Sequence, residues 1–322
     1  MGNYNVYLPN YSVGAGCYSE IPKVARRLGN KAIVIGGRTA IDKAKQALLD
    51  GISGSDMKII DFIVYGDDST YENVDKLVND ERVKNADIIF GVGGGRAVDT
   101  TKVVADKLDK PLFTFPTLGS NCAAVTAICV MYNEDHTFKE YYYLEGPADH
   151  TFIDTQIIAE SPEDLFWAGI GDALSKECEA VYSSEGVNLG HTPLMGVGVS
   201  KICTDPLIKY GKKALEDCKN NQDSEELKQV ALDIIISTGI VSNLTTTEND
   251  YYYNSSLAHA FYNGSTLVEG ARGLHGEVVS FGVLTLLTCA GEIEKRNEIA
   301  AFNKSLGLPV CLADLGIDKS GI

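Results

Sequence analysis

The sequence lacks the features that mark several large classes of protein. It has no Cys-x-x-Cys pair, and its eight cysteines (17, 122, 129, 178, 203, 218, 289 and 311) are scattered over 322 residues. In a chain of this size that pattern predicts reduced thiols and a cytoplasmic location, not a disulfide framework. Residues 1–16 contain no basic start followed by an apolar core, so no secretory leader is expected. No uninterrupted apolar stretch reaches the length of a bilayer span, so no membrane partner is expected either. Positive charge is scarce. Lys and Arg number 28 against 44 Asp and Glu, a formal net charge of −16. That balance argues against nucleic acid and against anionic membrane surfaces, but a local site of opposite sign can still take a small anion. Histidine is scarce as well, with five in the chain. No internal repeat or low-complexity tract is present.

Hydrophobic residues make up 44% of the chain, and the length suits about two domains, each with its own core. The first half alternates strand and helix patterns. Strands are predicted at Lys31–Gly37, Lys58–Tyr65, Ile88–Val92 and Pro111–Pro116, with helices at Glu20–Leu28, Asp42–Leu49 and Tyr71–Asn79. Further strands are expected at Ala127–Tyr132, Tyr141–Tyr143 and Thr151–Asp154, and a tyrosine-rich edge strand near the start. Such alternation predicts a parallel sheet covered on both faces, with ligands beyond the carboxyl ends of its strands. At Ser161-Pro162-Glu163 the texture changes to long helical patterns, including Ser224–Leu244 and Glu292–Leu306. Ser161 reads as an N-cap and Pro162 as the first helical residue. The expected division is an α/β domain over 1–160 and an all-α domain over 161–322.

The first half is organised around Asp87-Ile-Ile-Phe-Gly-Val-Gly-Gly-Gly-Arg-Ala-Val-Asp-Thr-Thr-Lys102. A short branched apolar run, Ile88 to Val92, leads into Gly93, Gly94 and Gly95. A helix follows, with Val98, Val103 and Val104 on one side and Asp99, Lys102 and Asp106 on the other. Strand, glycine turn and helix start form a phosphate-binding arrangement: glycine admits close approach of the backbone, and free N–H groups attract an anion. The spacing is neither a Walker loop nor G-x-G-x-x-G. Thr117 to Ser120 also follows a strand and belongs to the same rim.

Three segments of the second half carry metal-ligand candidates. Asp172 lies inside an apparent helix, His259 among small and apolar residues, and His275 between glycine-containing turns. One carboxylate and two imidazoles suit zinc with a fourth position open, and would also take ferrous iron. His136, His150 and His191 stand in polar or turn-like contexts, with His191-Thr-Pro193 reading as a loop.

Taken together, five motifs resemble the iron-containing alcohol dehydrogenase and glycerol dehydrogenase superfamily. They are Gly91–Lys102, Phe-Pro-Thr-Leu-Gly-Ser at 115–120, Gly-Ile-Gly-Asp-Ala-Leu at 169–174, Ala-His-Ala-Phe-Tyr-Asn-Gly at 258–264 and Leu-His-Gly-Glu at 274–277. The order is the family's and spans nearly the whole chain. The resemblance implies a nucleotide-binding α/β domain, a helical domain of the glycerol dehydrogenase-like and dehydroquinate synthase-like type, and an active site in the cleft between them. It assigns Asp172, His259 and His275 as metal ligands. It assigns Gly93, Gly94, Gly95 and Arg96 to the pyrophosphate loop, and Thr117, Ser120, Thr126, Ile128 and Tyr132 to the cofactor, with Asp99 in the same motif. Lys176 stands where many iron-dependent members carry a fourth ligand, which favours the three-ligand, usually zinc, branch.

Two departures bear on specificity. Cys122 occupies the position of an aspartate that helps glycerol dehydrogenases bind the polyol, which resembles the branch that reduces 2-oxo acids. The turn Gly36-Gly37-Arg38-Thr39 lacks the acidic residue often found in NAD-dependent members, so Arg38 suits a 2′-phosphate. Members of the family also continue with further helices beyond the point matching Leu306–Pro309, which fits either a shortened chain or a member with a reduced second domain. The implied activity is reversible hydride transfer between NAD or NADP and a small alcohol, polyol or hydroxy acid, in a homo-oligomer. The alternatives are a dehydroquinate synthase-like lyase, which the Gly-Asp-Ala-Leu motif argues against, and a non-catalytic binding module.

Overall fold

The computed structural model describes residues 5–318. They form two compact units, one comprising residues up to 161 together with 221–223, the other 162–220 and residues from 224 onward.

Unit 1 is built on a parallel sheet. Its strands are β1 (Tyr11–Val13), β2 (Lys31–Gly36), β3 (Lys58–Val64), β4 (Ile88–Gly93), β5 (Leu112–Pro116) and β8 (His150–Ile153), in the order β1-β8-β5-β4-β2-β3. A separate antiparallel ribbon pairs β6 (Ile128–Tyr132) with β7 (Phe138–Tyr143). The helices are α1 (Ile21–Ala25), α2 (Arg38–Ile52), α3 (Tyr71–Val78), α4 (Glu81–Lys84), α5 (Gly95–Leu108) and α6 (Thr155–Ala159).

Side-chain alternation sorts the central strands onto two cores. Ala32, Val34, Ile88, Phe90 and Val92 pack on one face with Ile41, Ala44 and Leu48 of α2. Ile33, Ile35 and Ile89 pack on the other with Val74 and Leu77 of α3 and Val103 and Val104 of α5. The sequence reading of α5 needs one correction. Asp99 and Lys102, expected on its outer side, are buried, because the β6–β7 ribbon and the 123–125 turn cover that flank.

Unit 2 is helical: α7 (Glu163–Ala173), α8 (Ser175–Ser183), α9 (His191–Ser200), α10 (Thr204–Lys219), α11 (Glu225–Leu232), α12 (Thr238–Thr245), α13 (Leu257–Ser265), α14 (His275–Cys289) and α15 (Ile293–Leu306). Four local expectations change. Pro162, not Ser161, is the N-cap of α7. His191 opens α9 rather than lying in a loop, and His275 opens α14. The run from Ser224 is indeed continuous, with the Ser224 hydroxyl capping Leu227 N–H at 3.0 Å, but a π-helical turn at Asp233–Ser237 joins α11 to α12. Finally, this run of 21 residues is long and apolar enough to cross a bilayer, yet 67% of its most apolar window is buried inside the unit. Its composition is that of a core helix.

Candidate active site

In unit 1 the turns after β2, β4 and β5 meet at one edge of the sheet. β4 ends at Gly93, whose φ of +142° is a conformation that residues with a Cβ rarely adopt. Gly94 is extended and α5 begins at Gly95 with no side-chain cap, so its first N–H groups are left for an external acceptor. Thr117 donates its backbone N–H to Gly93 O at 3.3 Å. The Leu118 side chain faces Gly94, Asn121 faces Gly95, and the Gly37 backbone nitrogen lies beside Gly93. Arg38, the first residue of α2, is exposed on this rim.

Arg96 is held in place beside the turn. Its guanidinium donates to Asp68 Oδ2 at 3.0 Å and lies 4.8 Å from the Tyr132 ring centre. His136 Nδ1 reaches the same carboxylate oxygen at 2.7 Å, and Asp68 is fully buried. Asp99 departs from the expected cofactor contact. Its side chain points inward, ion-paired to Lys102 Nζ at 2.8 Å and accepting Val130 N–H at 3.1 Å. Thr126 is buried and its hydroxyl lies 3.2 Å from Ile128 O, whereas Ser120, Ile128 and Tyr132 are partly exposed. Cys122 is partly exposed and directly precedes the 123–125 turn.

In unit 2 Asp172, His259 and His275 come together because three helices approach backbone to backbone. A Cβ on Gly171 would sit 2.5 Å from Gly276 O, and one on Gly276 would overlap Ala168 O. Likewise a Cβ on Gly282 would lie 2.5 Å from Ala258 O. α7 and α13 therefore both dock on α14 at glycine contacts adjoining the three polar residues. His275 Nε2 lies 3.2 Å and His259 Nε2 3.6 Å from Asp172 Oδ1. One ligand atom from each residue lies within 4.8 Å of the others. The Tyr262 ring packs edge-on to His275 at 4.3 Å.

A fourth residue, absent from the sequence reading, orients His259. Glu179 of α8 is fully buried and accepts Ser256 N–H at 2.7 Å, His259 N–H at 3.0 Å and His259 Nδ1 at 2.5 Å. That contact turns Nε2 toward Asp172. No local signal marked it, because Glu179 lies on α8, beyond the break at Leu174 that ends the helix of Asp172. Lys176 donates to Asn254 Oδ1 at 2.7 Å and is not arranged as a ligand.

This donor set fits a divalent cation. Burial works to raise the Asp172 carboxyl, but contact with His275 and the nearby positive groups outweigh it and bring the pKa to about 2. Burial opposes a charged His259, yet Glu179 and Asp172 outweigh it and raise that imidazole. Two carboxylates thus demand positive charge at the cluster, and Asp172 Oδ1 is a buried atom without a hydrogen-bond partner. One carboxylate oxygen and two imidazole nitrogens are a borderline set for a transition metal.

An uncapped glycine turn on a parallel sheet suits a dinucleotide, and the helical unit's donor set suits a divalent metal, the parts that a metal-dependent dehydrogenase needs. Comparison with known proteins narrows the reading. Residues 9–155 match the family model described as iron-containing alcohol dehydrogenase. The chain is 29% identical to glycerol dehydrogenase of Thermotoga maritima, covering 97% of this chain and 85% of that protein. It is 28% identical to hydroxycarboxylate dehydrogenase A of Escherichia coli, covering 90% and 78% respectively. The crystal structure of glycerol dehydrogenase from Schizosaccharomyces pombe superposes with a TM-score of 0.84 at 25% identity, covering 98% of this chain and 81% of that one. The chain is thus similar to iron-containing alcohol dehydrogenases over its first half and to glycerol dehydrogenases over nearly its whole length.

Proposed function

We propose that this protein catalyses reversible hydride transfer between a nicotinamide dinucleotide and a small alcohol or polyol. The convergence of Asp172, His259 and His275, with ligand atoms within 4.8 Å of one another, carries the reading. These residues would hold one divalent metal, zinc before ferrous iron, because Lys176 supplies no fourth ligand. When bound, such a metal acts as a Lewis acid toward the alcohol or carbonyl oxygen. Glu179 keeps His259 in the tautomer that presents Nε2, and the Tyr262 ring limits the rotation of His275. The first turn of α5 and Arg96 hold the pyrophosphate. In oxidation the carbinol carbon gives its hydride to the nicotinamide and the hydroxyl proton leaves to water; reduction reverses both transfers.

Two finer points follow from the cofactor rim. Arg38 is exposed at the start of α2 with no acid beside it in the turn, which supports use of NADP as well as NAD. Cys122 supports a second substrate reading, reduction of a small 2-oxo acid. The absence of disulfides among the eight cysteines supports a reducing, cytoplasmic setting. Steady-state kinetics with glycerol, a vicinal diol and two 2-oxo acids, each with both cofactors, tests the whole proposal. Turnover of none of these by the metal-loaded protein would overturn it, and a highest kcat/KM for a 2-oxo acid would select the second reading. Metal analysis of the purified protein decides between zinc and iron.

A further inference from the structure

Among the described residues of unit 1, Lys102 is the buried Lys or Arg, and no step of the chemistry uses it. Its exposure is 1%. Its Nζ lies 2.7 Å from Ile128 O, 2.9 Å from Ala123 O, 3.2 Å from Thr126 O and 3.3 Å from Thr126 Oγ1, and is paired with Asp99 Oδ1 at 2.8 Å. Asp99 Oδ2 in turn accepts Val130 N–H at 3.1 Å. Burial works against the ammonium charge, but the Asp99 carboxylate outweighs it and the pKa is raised. A buried pair of this kind adds little net stability, since desolvation offsets the attraction. What it does is gather three carbonyls of one irregular segment onto one point of α5.

The location of that point matters. α5 starts at the glycine turn, and Lys102 stands two turns further along the same face. A dinucleotide whose pyrophosphate sits on the α5 start extends one nucleoside toward the β2 turn and the other toward the β5 side. On the function proposed above, the Gly37–Arg38 turn after β2 takes the adenosine ribose. The segment after β5, residues 117–128, therefore faces the nicotinamide half. It is this segment that Lys102 fastens.

We infer that Lys102, held by Asp99, is a positioning residue for the nicotinamide half of the cofactor: one helix seats the pyrophosphate at its start and fixes the opposite wall through a buried ammonium. The inference rests on the assignment of the glycine turn to the pyrophosphate. Two ligands separate the two ideas, because ADP carries the pyrophosphate without the nicotinamide. In Lys102→Met, NADH should bind about tenfold more weakly while ADP stays within twofold. The double variant D99N/K102M removes the uncompensated carboxylate and should show the same split in a more stable background. An NADH-to-ADP affinity ratio within twofold of wild type in a folded variant overturns the positioning role. Unchanged binding of both ligands in Gly94→Val instead overturns the pyrophosphate assignment. Hydrogen exchange on the wild-type protein without nucleotide gives a test independent of any substitution. The amides of residues 123–130 should exchange as slowly as those of α5, and fast exchange there overturns the inference.

Discussion

Glu179 commits both carboxylate oxygens to the segment that carries His259, so its removal should be felt at the metal rather than in the fold. Glu179→Gln keeps the shape and loses the charge. Metal affinity, read by competition with a chromophoric chelator, should fall about 10- to 100-fold, with the circular dichroism spectrum unchanged. Unaltered affinity would show that His259 needs no partner. On the proposed function, Cys122 bears on a different choice. A carboxylate there offers strong acceptors to a second hydroxyl and repels an acid substrate, so Cys122→Asp should shift the ratio of kcat/KM toward glycerol and away from 2-oxo acids by at least about tenfold. A ratio that stays put removes Cys122 from specificity. At this scale Asp172, His259 and His275, which the structure brings close together, stood out as candidates because each stands in a short glycine-bearing segment with few polar neighbours. Glu179 was not, because an acid in a helix reads the same whether it faces solvent or a histidine. Asp99 was misread for a related reason: helical periodicity shows two sides of α5 but not that both are covered.

Among the elements, α14 bears the closest contacts. Gly276→Ala places a methyl where Ala168 O already lies, so α7 and α14 must separate. We expect a loss of about 1–3 kcal/mol in urea unfolding together with weakened metal retention, since Asp172 and His275 flank the contact. A variant as stable and as metal-loaded as wild type would mean that the helices dock elsewhere. The π turn between α11 and α12 supports a prediction of pH dependence. Asp233 is 2% exposed, and burial pushes its pKa up to about 8, with Ser237 nearby pulling only weakly the other way. Because the folded value exceeds the unfolded one, the unfolded chain gives up this proton first, and stability declines as pH rises until about 8. Asp233→Asn removes that slope. Its stability relative to wild type should grow by up to about 1.4 kcal/mol for each pH unit between 5 and 8, measured by denaturant unfolding at three pH values. A difference independent of pH would show that Asp233 is solvated. The helix was legible from its period; the π turn was not, since an apolar Ile-Ile-Ile run fits either pitch.

For the molecule as a whole, the proposed nucleotide contacts lie in unit 1 and the proposed metal set in unit 2, so each should load without the other. Chelation should abolish turnover while ADP affinity stays within twofold, and readdition of zinc or ferrous iron should restore activity. Full turnover after metal removal would overturn the metal's role. The parallel sheet was readable because its central strands are short branched runs buried on both faces, and the change to helices near 160 was readable from period alone. The convergence of three distant segments on Asp172 was not, because no local pattern records which helices touch. The contact that produces it reaches down to the gene. Every missense change in a glycine codon adds at least a Cβ, so codon 276 has no conservative neighbour. Gly198 and Gly264 are also helical, but nothing lies within 4 Å of a Cβ at either. A randomly mutagenised library selected for turnover should therefore accumulate alanine and serine at 198 and 264 and return codon 276 encoding glycine alone.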